Sequence, residues 1–234
     1  MSKAWLAALP LSVALAVGHA IAAERPIVVE LFTSEGCSSC PPADAFLAEL
    51  ANRPDVLALS FHVDYWDRLG WKDPFSSAAA TRRQQDYAAL LGVGSVYTPQ
   101  IVVDGHWQAV GSDRREVDRA LAAASHPAMA VPVELKLASG RARVELGAGN
   151  AAGRVLLVGF DRRHSDRVRG GENDGRTLSH VDVVRGFVAI GRYDGKPGTI
   201  EAAVPWPAER VAAIVQAEDG RILGAAIADA APSS

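Results

Sequence analysis

Phe32 to Asp44 reads FTSEGCSSCPPAD and contains Cys37 and Cys40, the only two cysteines of the 234-residue chain. It follows Ile27 to Phe32, IVVELF, a β-branched apolar run that predicts a buried strand. Behind it Ala43, Phe46, Leu47, Leu50 and Ala51 recur at helical spacing until Arg53-Pro54 ends the helix. Val56 to Val63 predicts a second buried strand, so the cysteines fall at the turn of a strand, helix, strand unit. A sulfur at the start of a helix meets the positive end of the backbone dipole, which favours the reactive thiolate. Cys37 is therefore expected to be exposed and to attack, with Cys40 more shielded and resolving. Pro41 and Pro42 stand where a missing N–H costs least.

The first residues set the compartment. Lys3 is the lone charge before the apolar run Trp5 to Val17, and Ala20-Ile21-Ala22 offers the small residues of a cleavage site. That run is shorter than the roughly twenty residues a membrane span needs, so residues 1–22 read as a signal peptide and the protein as exported, to the periplasm, with no stable span left after cleavage. The formal net charge is −3, and no basic tract would grip nucleic acid. With 49% hydrophobic residues the chain can bury a core. In an oxidising compartment a chain that used cysteine for stability would carry several, closing long loops. A disulfide across so short a loop contributes only about 2 kcal/mol.

Further along, Tyr65 to Phe75 is a loop rich in tryptophan and charge, and Ser76 to Leu91 a helix stopped by Gly92. Ile101 to Val103 and Trp107 to Val110 form a hairpin around Asp104-Gly105, and Asp113 with Glu116 reads as a capping box. Past His126-Pro127, seven strand-like runs between Val131 and Ala228 are separated by glycine- or proline-bearing turns, which predicts an antiparallel β-sandwich and a domain boundary near Ser125 to Met129. The run Gly170 to Arg176, GGENDGR, lacks the ending of a phosphate loop and reads as a long sandwich loop. With Arg162, Arg163 and His164 in a preceding loop, it is either a surface charged for solubility or one that covers the cysteine site or docks a partner.

The cysteine turn, Val96 to Gly105 (VYTPQIVVDG) and Ala109-Val110-Gly111 resemble the landmarks of the thioredoxin superfamily over Pro26 to Ala124. More closely, VELFTSEGCSSCPPAD, YWDRLGWKDPFS, VYTPQIVVDG and GENDGRTLSH resemble recurrent segments of a secreted bacterial family catalogued as domain of unknown function 1223. The resemblance implies an α/β thioredoxin-like domain, residues 24–126 with an insertion at 65–95, followed by an all-β antiparallel sandwich-like domain, residues 129–229. It also implies that Pro99 is cis and packs near the sulfurs, while Thr98 offers its backbone to an extended substrate. Two carboxylates are candidate proton acceptors or modulators of thiol pKa. Glu30 interrupts IVVELF and either serves the resolving sulfur or pairs with an arginine, whereas Glu35, two residues before Cys37, opposes thiolate formation.

The function expected is exported thiol-disulfide exchange with protein or small thiol substrates through Cys37-Ser38-Ser39-Cys40, needing no cofactor beyond the pair and a redox-recycling partner. Two rivals stand beside it: a copper(I)-binding thiol carrier, and a non-catalytic binding module with a structural disulfide. Zinc would require His62 and His180 to be recruited from elsewhere, and no methionine-rich copper tract is present, so no metal ligand is assigned.

Overall fold

Every residue of β1 (Ile27–Thr33) and of β2 (Val56–His62) is buried, as in strands with neighbours on both edges and cover on both faces. In the computed structural model, which describes residues 25–125 and 131–230, the two strands run parallel, Ile27 opposite Val56 and Thr33 opposite His62. α1 (Pro41–Leu50) crosses between them. β3 (Gln100–Val103) lies antiparallel along the other edge of β1, and β4 (Trp107–Val110) pairs with β3. α2 (Ala78–Leu90) is capped by the Ser77 hydroxyl, which accepts from the Ala80 N–H. α3 (Arg114–Ala124) is capped by Asp113, whose carboxylate accepts from the Glu116 N–H at 3.2 Å, and it buries Val117, Ala120, Leu121 and Ala124.

The second half adds β5 (Val133–Ala138), β6 (Arg141–Leu146), β7 (Gly153–Arg167), β8 (Thr177–Tyr193), β9 (Gly198–Ala203), β10 (Arg210–Ala217) and β11 (Ile222–Asp229). Here the expected architecture is corrected. The chain does not form an α/β thioredoxin-like domain followed by a separate all-β sandwich. β8 docks in parallel on the open edge of β2, Val183 opposite Ser60, and one mixed sheet of eight strands runs β11-β10-β7-β8-β2-β1-β3-β4 through both halves. Only β5, β6 and β9 form a second sheet. The physical reason lies in β2. A strand apolar on both faces leaves an unpaired edge that is costly to expose, and β8 occupies it. Of the boundary expected near Ser125 to Met129, residues 126–129 lie outside the described residues, as do residues 1–22.

The apolar interior follows this sheet. Val29, Leu31, Ala58, Ile101 and Val103 face α1 and α3. The opposite face joins the halves, since Val28, Phe32, Leu57, Leu59 and Phe61 share a cluster with Leu156, Val158, Phe160, Ala212 and Ile214. The small sheet packs Leu135, Val144 and Leu146 on Leu157, Ala213 and Val215. A second link is the Asp104-Gly105 turn, where the Ile222 N–H donates to the Asp104 carbonyl at 3.0 Å. Gly105 has φ +66, and a Cβ there would lie 1.9 Å from the Gly220 carbonyl oxygen, so both conformation and space require glycine.

β7 and β8 extend beyond the strands expected at Arg154 to Phe160 and Val181 to Ile190. Their outer parts, Asp161 to Arg167 paired with Thr177 to Val183, make a two-stranded ribbon. The β7 arm, Asp161 to Arg167, is polar throughout with no buried residue and so carries no apolar alternation, whereas the β8 arm buries Leu178, His180, Val181 and Val183. At its tip a short 3-10 turn, Gly171–Asn173, is carried back to the first half of the chain.

Candidate functional site

The cysteine loop emerges from β1 and enters α1 with Cys40 as N-cap and no capping side chain. Cys37 and Cys40 are joined as a disulfide. The Cys40 N–H donates to the Cys37 carbonyl at 3.2 Å, and the amides of Ala43 and Asp44 donate to the Cys40 carbonyl. The Ser39 hydroxyl lies 3.3 Å from Cys37 Sγ, where it can donate to a thiolate. Cys37 was expected at the surface, yet both cysteines have 0% exposure, and only Ser38 and Ser39 between them are open to solvent.

Two distant segments supply the cover. From the hairpin tip, the Asn173 amide donates to the carbonyls of Glu35 and Cys37, each at 2.9 Å. Glu172 accepts from the Ser38 N–H at 3.0 Å and the Ser38 hydroxyl at 2.6 Å, which holds its carboxyl below the usual range. The loop Tyr65 to Phe75 comes in from the other side. Trp66 Nε1 donates to the Thr98 hydroxyl at 2.8 Å, and Trp71 Nε1 to the Glu35 carboxylate at 2.7 Å. The GGENDGR run thus covers the cysteine loop, one of the readings its sequence allowed.

The Thr98-Pro99 peptide is cis. A Cβ on Gly111 would sit 2.9 Å from Ala43 Cβ and 3.2 Å from Pro99 Cβ, which puts Pro99 against the first turn of α1. Glu30 lies elsewhere. It alternates with Val29 and Leu31 and shares the Val28 and Phe32 face, towards α2. Its carboxylate accepts from Arg83 Nε, from Arg83 Nη2 at 2.7 Å and from the Tyr87 hydroxyl at 2.6 Å. None of these partners belongs to the cysteine loop, and Gln216 of β10 joins the group through the Tyr87 hydroxyl.

Glu35, two residues before Cys37, is fully buried and heads a group of buried ionisable side chains. Its Oε1 lies 3.4 Å from His180 Nε2, and His180 Nδ1 lies 3.8 Å from Asp44 Oδ1. Neither contact has hydrogen-bond geometry, and these carboxylate oxygens and both ring nitrogens lack a hydrogen-bond partner among the described residues. Their attraction is therefore mainly electrostatic. Burial alone would lower the His180 pKa, but Asp44 and Glu35 outweigh it and push it up to about 10. The His180 ring stands edge-on to His62, centroids 4.7 Å apart. His62 Nδ1 pairs with Asp73 Oδ2 at 2.6 Å, and the same oxygen accepts from the Glu35 N–H at 2.8 Å. Burial opposes the charge on Asp73, yet His62 and the amides of Glu35 and Phe75 keep its pKa below the ordinary value.

Sequence reasoning did not assign roles to Asp44, Asp73, Glu172, Asn173 or the His62-His180 pair. The available signals were polar residues set inside apolar runs: His62 after VLALSF, His180 before VDVV, and Asp44 four residues after Cys40 on the buried stripe of α1. Among the described residues, no three His, Cys, Asp or Glu side chains form a group that could hold a metal ion. Among the same residues, no helix is long and apolar enough to cross a membrane.

No curated protein sequence matches the chain. It is similar to the crystal structure of protein AGR_C_4864 from Agrobacterium tumefaciens, a structural genomics target, at 34% identity over 89% of this chain and 96% of the other, with a TM-score of 0.77. HBP35 of Porphyromonas gingivalis is similar at 17% identity over 88% of this chain and 75% of the other, TM-score 0.57, a likeness of fold alone. The profile of one family, described as Protein of unknown function (DUF1223), matches residues 28–216, and the chain belongs to that family.

Proposed function

We propose that the protein is an exported thiol-disulfide oxidoreductase of thioredoxin-superfamily character that exchanges disulfides with protein or small thiol substrates through Cys37 and Cys40. One observation carries the reading. The disulfide spans a loop too short to stabilise the chain by much, and it stands at a helix entrance with the Ser39 hydroxyl at one sulfur, beside a buried carboxylate-imidazole group drawn from the cysteine loop (Glu35), the first turn of α1 (Asp44) and β8 (His180). Buried charges are costly unless they are used or fully paired, and this group has unpartnered oxygens and nitrogens. Cys37 would attack a substrate disulfide and Cys40 would release the product, with a recycling partner restoring the pair. Export rests on residues 1–22, and the periplasm is the proposed compartment.

The complete burial of both sulfurs favours a second reading, a binding module whose disulfide is structural. Equilibrium titration of the pair against glutathione buffers separates the two. A reversible midpoint between about −120 and −270 mV, with mixed disulfides trapped by Cys40→Ser, is expected for exchange. A midpoint below about −300 mV with nothing trapped moves the assignment to the binding module.

A further inference from the structure

Cys40 cannot attack a mixed disulfide while it carries its proton, and in a buried setting that proton has to pass to a neighbouring group. Asp44 follows Cys40 by four residues on α1, a spacing that puts two Cβ atoms about 5–6 Å apart on one helical stripe. Helical side chains lean towards the N-terminus, which directs the Asp44 carboxylate to the Cys40 end of the helix. It is 6% exposed, and its Oδ1 has no hydrogen-bond partner among the described residues.

The groups around it come from every element packed there: Glu35 from the cysteine loop, His180 from β8, His62 from β2 and Asp73 from the loop before α2. Beyond Phe75 stands a further group, His164, Asp161 and Arg185. Its raised pKa leaves His180 an imidazolium at neutral pH. The imidazolium faces both carboxylates and keeps Asp44 from being abandoned as an isolated buried charge.

We propose that Asp44 is the proton acceptor for Cys40 and that His180 is the positioning residue that holds Asp44 in that role. The inference rests on the exchange reading and deepens it. In the resolving step, the Cys40 thiol gives its proton to the Asp44 carboxylate, and the thiolate attacks Cys37 Sγ of the mixed disulfide. The Cys40–Cys37 bond forms as the Cys37–substrate bond breaks, and the substrate leaves as a thiolate that takes the proton back from Asp44. Atoms and electrons balance within the protein and its substrate, and the reverse direction runs through the same transfers.

The test uses reduced protein and Ellman's reagent, whose coloured thiolate is released once when Cys37 attacks and once more when Cys40 resolves. Asp44→Asn, nearly the same size, is expected to leave the first release within about twofold and to slow the second by about 100-fold at neutral pH. Its second release should then rise with pH as for an ordinary thiol, and Asp44→Glu should restore part of the rate. His180→Gln is expected to displace the pH profile of the second release only, and an undisplaced profile overturns the positioning role. Normal wild-type release with an unchanged second step in Asp44→Asn overturns the proton-acceptor assignment alone. Failure of the reduced wild type to release either equivalent overturns the exchange reading and this inference with it.

Discussion

Removing the Asn173 side-chain amide should uncover the disulfide. Asn173 donates to the carbonyls of Glu35 and Cys37 at 2.9 Å each, and it is itself 0% exposed. A hydrogen bond of this kind contributes about 0.5–1.5 kcal/mol net, so Asn173→Ala weakens the closed state by about 1–3 kcal/mol. Both sulfurs are shielded, so a small thiol reduces them only from the open form, and the rate follows the open population. At about 1.4 kcal/mol per tenfold, reduction by dithiothreitol should accelerate by about 5–140-fold. The assay is quenched reduction of the folded protein, read by alkylation and mass, with the protein in urea as the fully open reference. Glu172→Gln is the companion. Its contacts with Ser38 are exposed, and exposed charges contribute little, so a change below about threefold is expected. An unchanged rate in folded Asn173→Ala refutes the cover, as does wild-type reduction as fast as in urea.

Other perturbations test the surroundings. Arg83→Met leaves the Glu30 carboxylate buried without its cation, a loss of about 3–5 kcal/mol in urea unfolding, and adding Glu30→Met should recover part of it. Asp182 is pushed up to about 6 by burial, against the opposing charges of Arg210 and Arg162. Because its folded pKa lies above the unfolded value, the folded state binds more protons between about pH 4 and 6, and stability falls as pH rises through that window. The rise to about 6 sets an upper bound of about 3 kcal/mol, which solvent screening at this partly open site reduces. Asp182→Asn should therefore stabilise the protein by about 1 kcal/mol at pH 7, a gain that vanishes below about pH 4 and is followed by urea unfolding across pH.

The elements of the first half are legible because each announces itself locally. IVVELF and VLALSFHV are continuous apolar runs, Asp113 is a cap, and Asp104-Gly105 is a turn dipeptide. The cysteine pair is legible for the same reason, and Pro99 through the resemblance of VYTPQIVVDG to the thioredoxin superfamily. What lies between the halves is not. The pairing of Val183 with Ser60 and the contacts of Asn173 with Glu35 and Cys37 join residues more than a hundred positions apart and leave no periodicity to read. The β7 arm beyond Phe160 has polar residues on both faces and so passes for a loop. Glu30 shows the same limit: its partner is Arg83 on α2, and only the fold decides between an acid for the sulfur and an ion pair.

Asn173 reaches across 138 and 136 positions to hold the Glu35 and Cys37 carbonyls, so the cysteines are synthesised long before the residues that hide them. A chain that emerges from its N-terminus presents Cys37 and Cys40 uncovered, along with the bare edge of β2, until the β7 and β8 hairpin arrives. The pair can be oxidised or captured during that interval on terms that no longer hold once β8 has docked. A fragment ending at residue 125 would keep its thiols permanently in this early condition and would offer the β2 edge to other chains. Access to the sulfurs is thereby tied to completion of the chain.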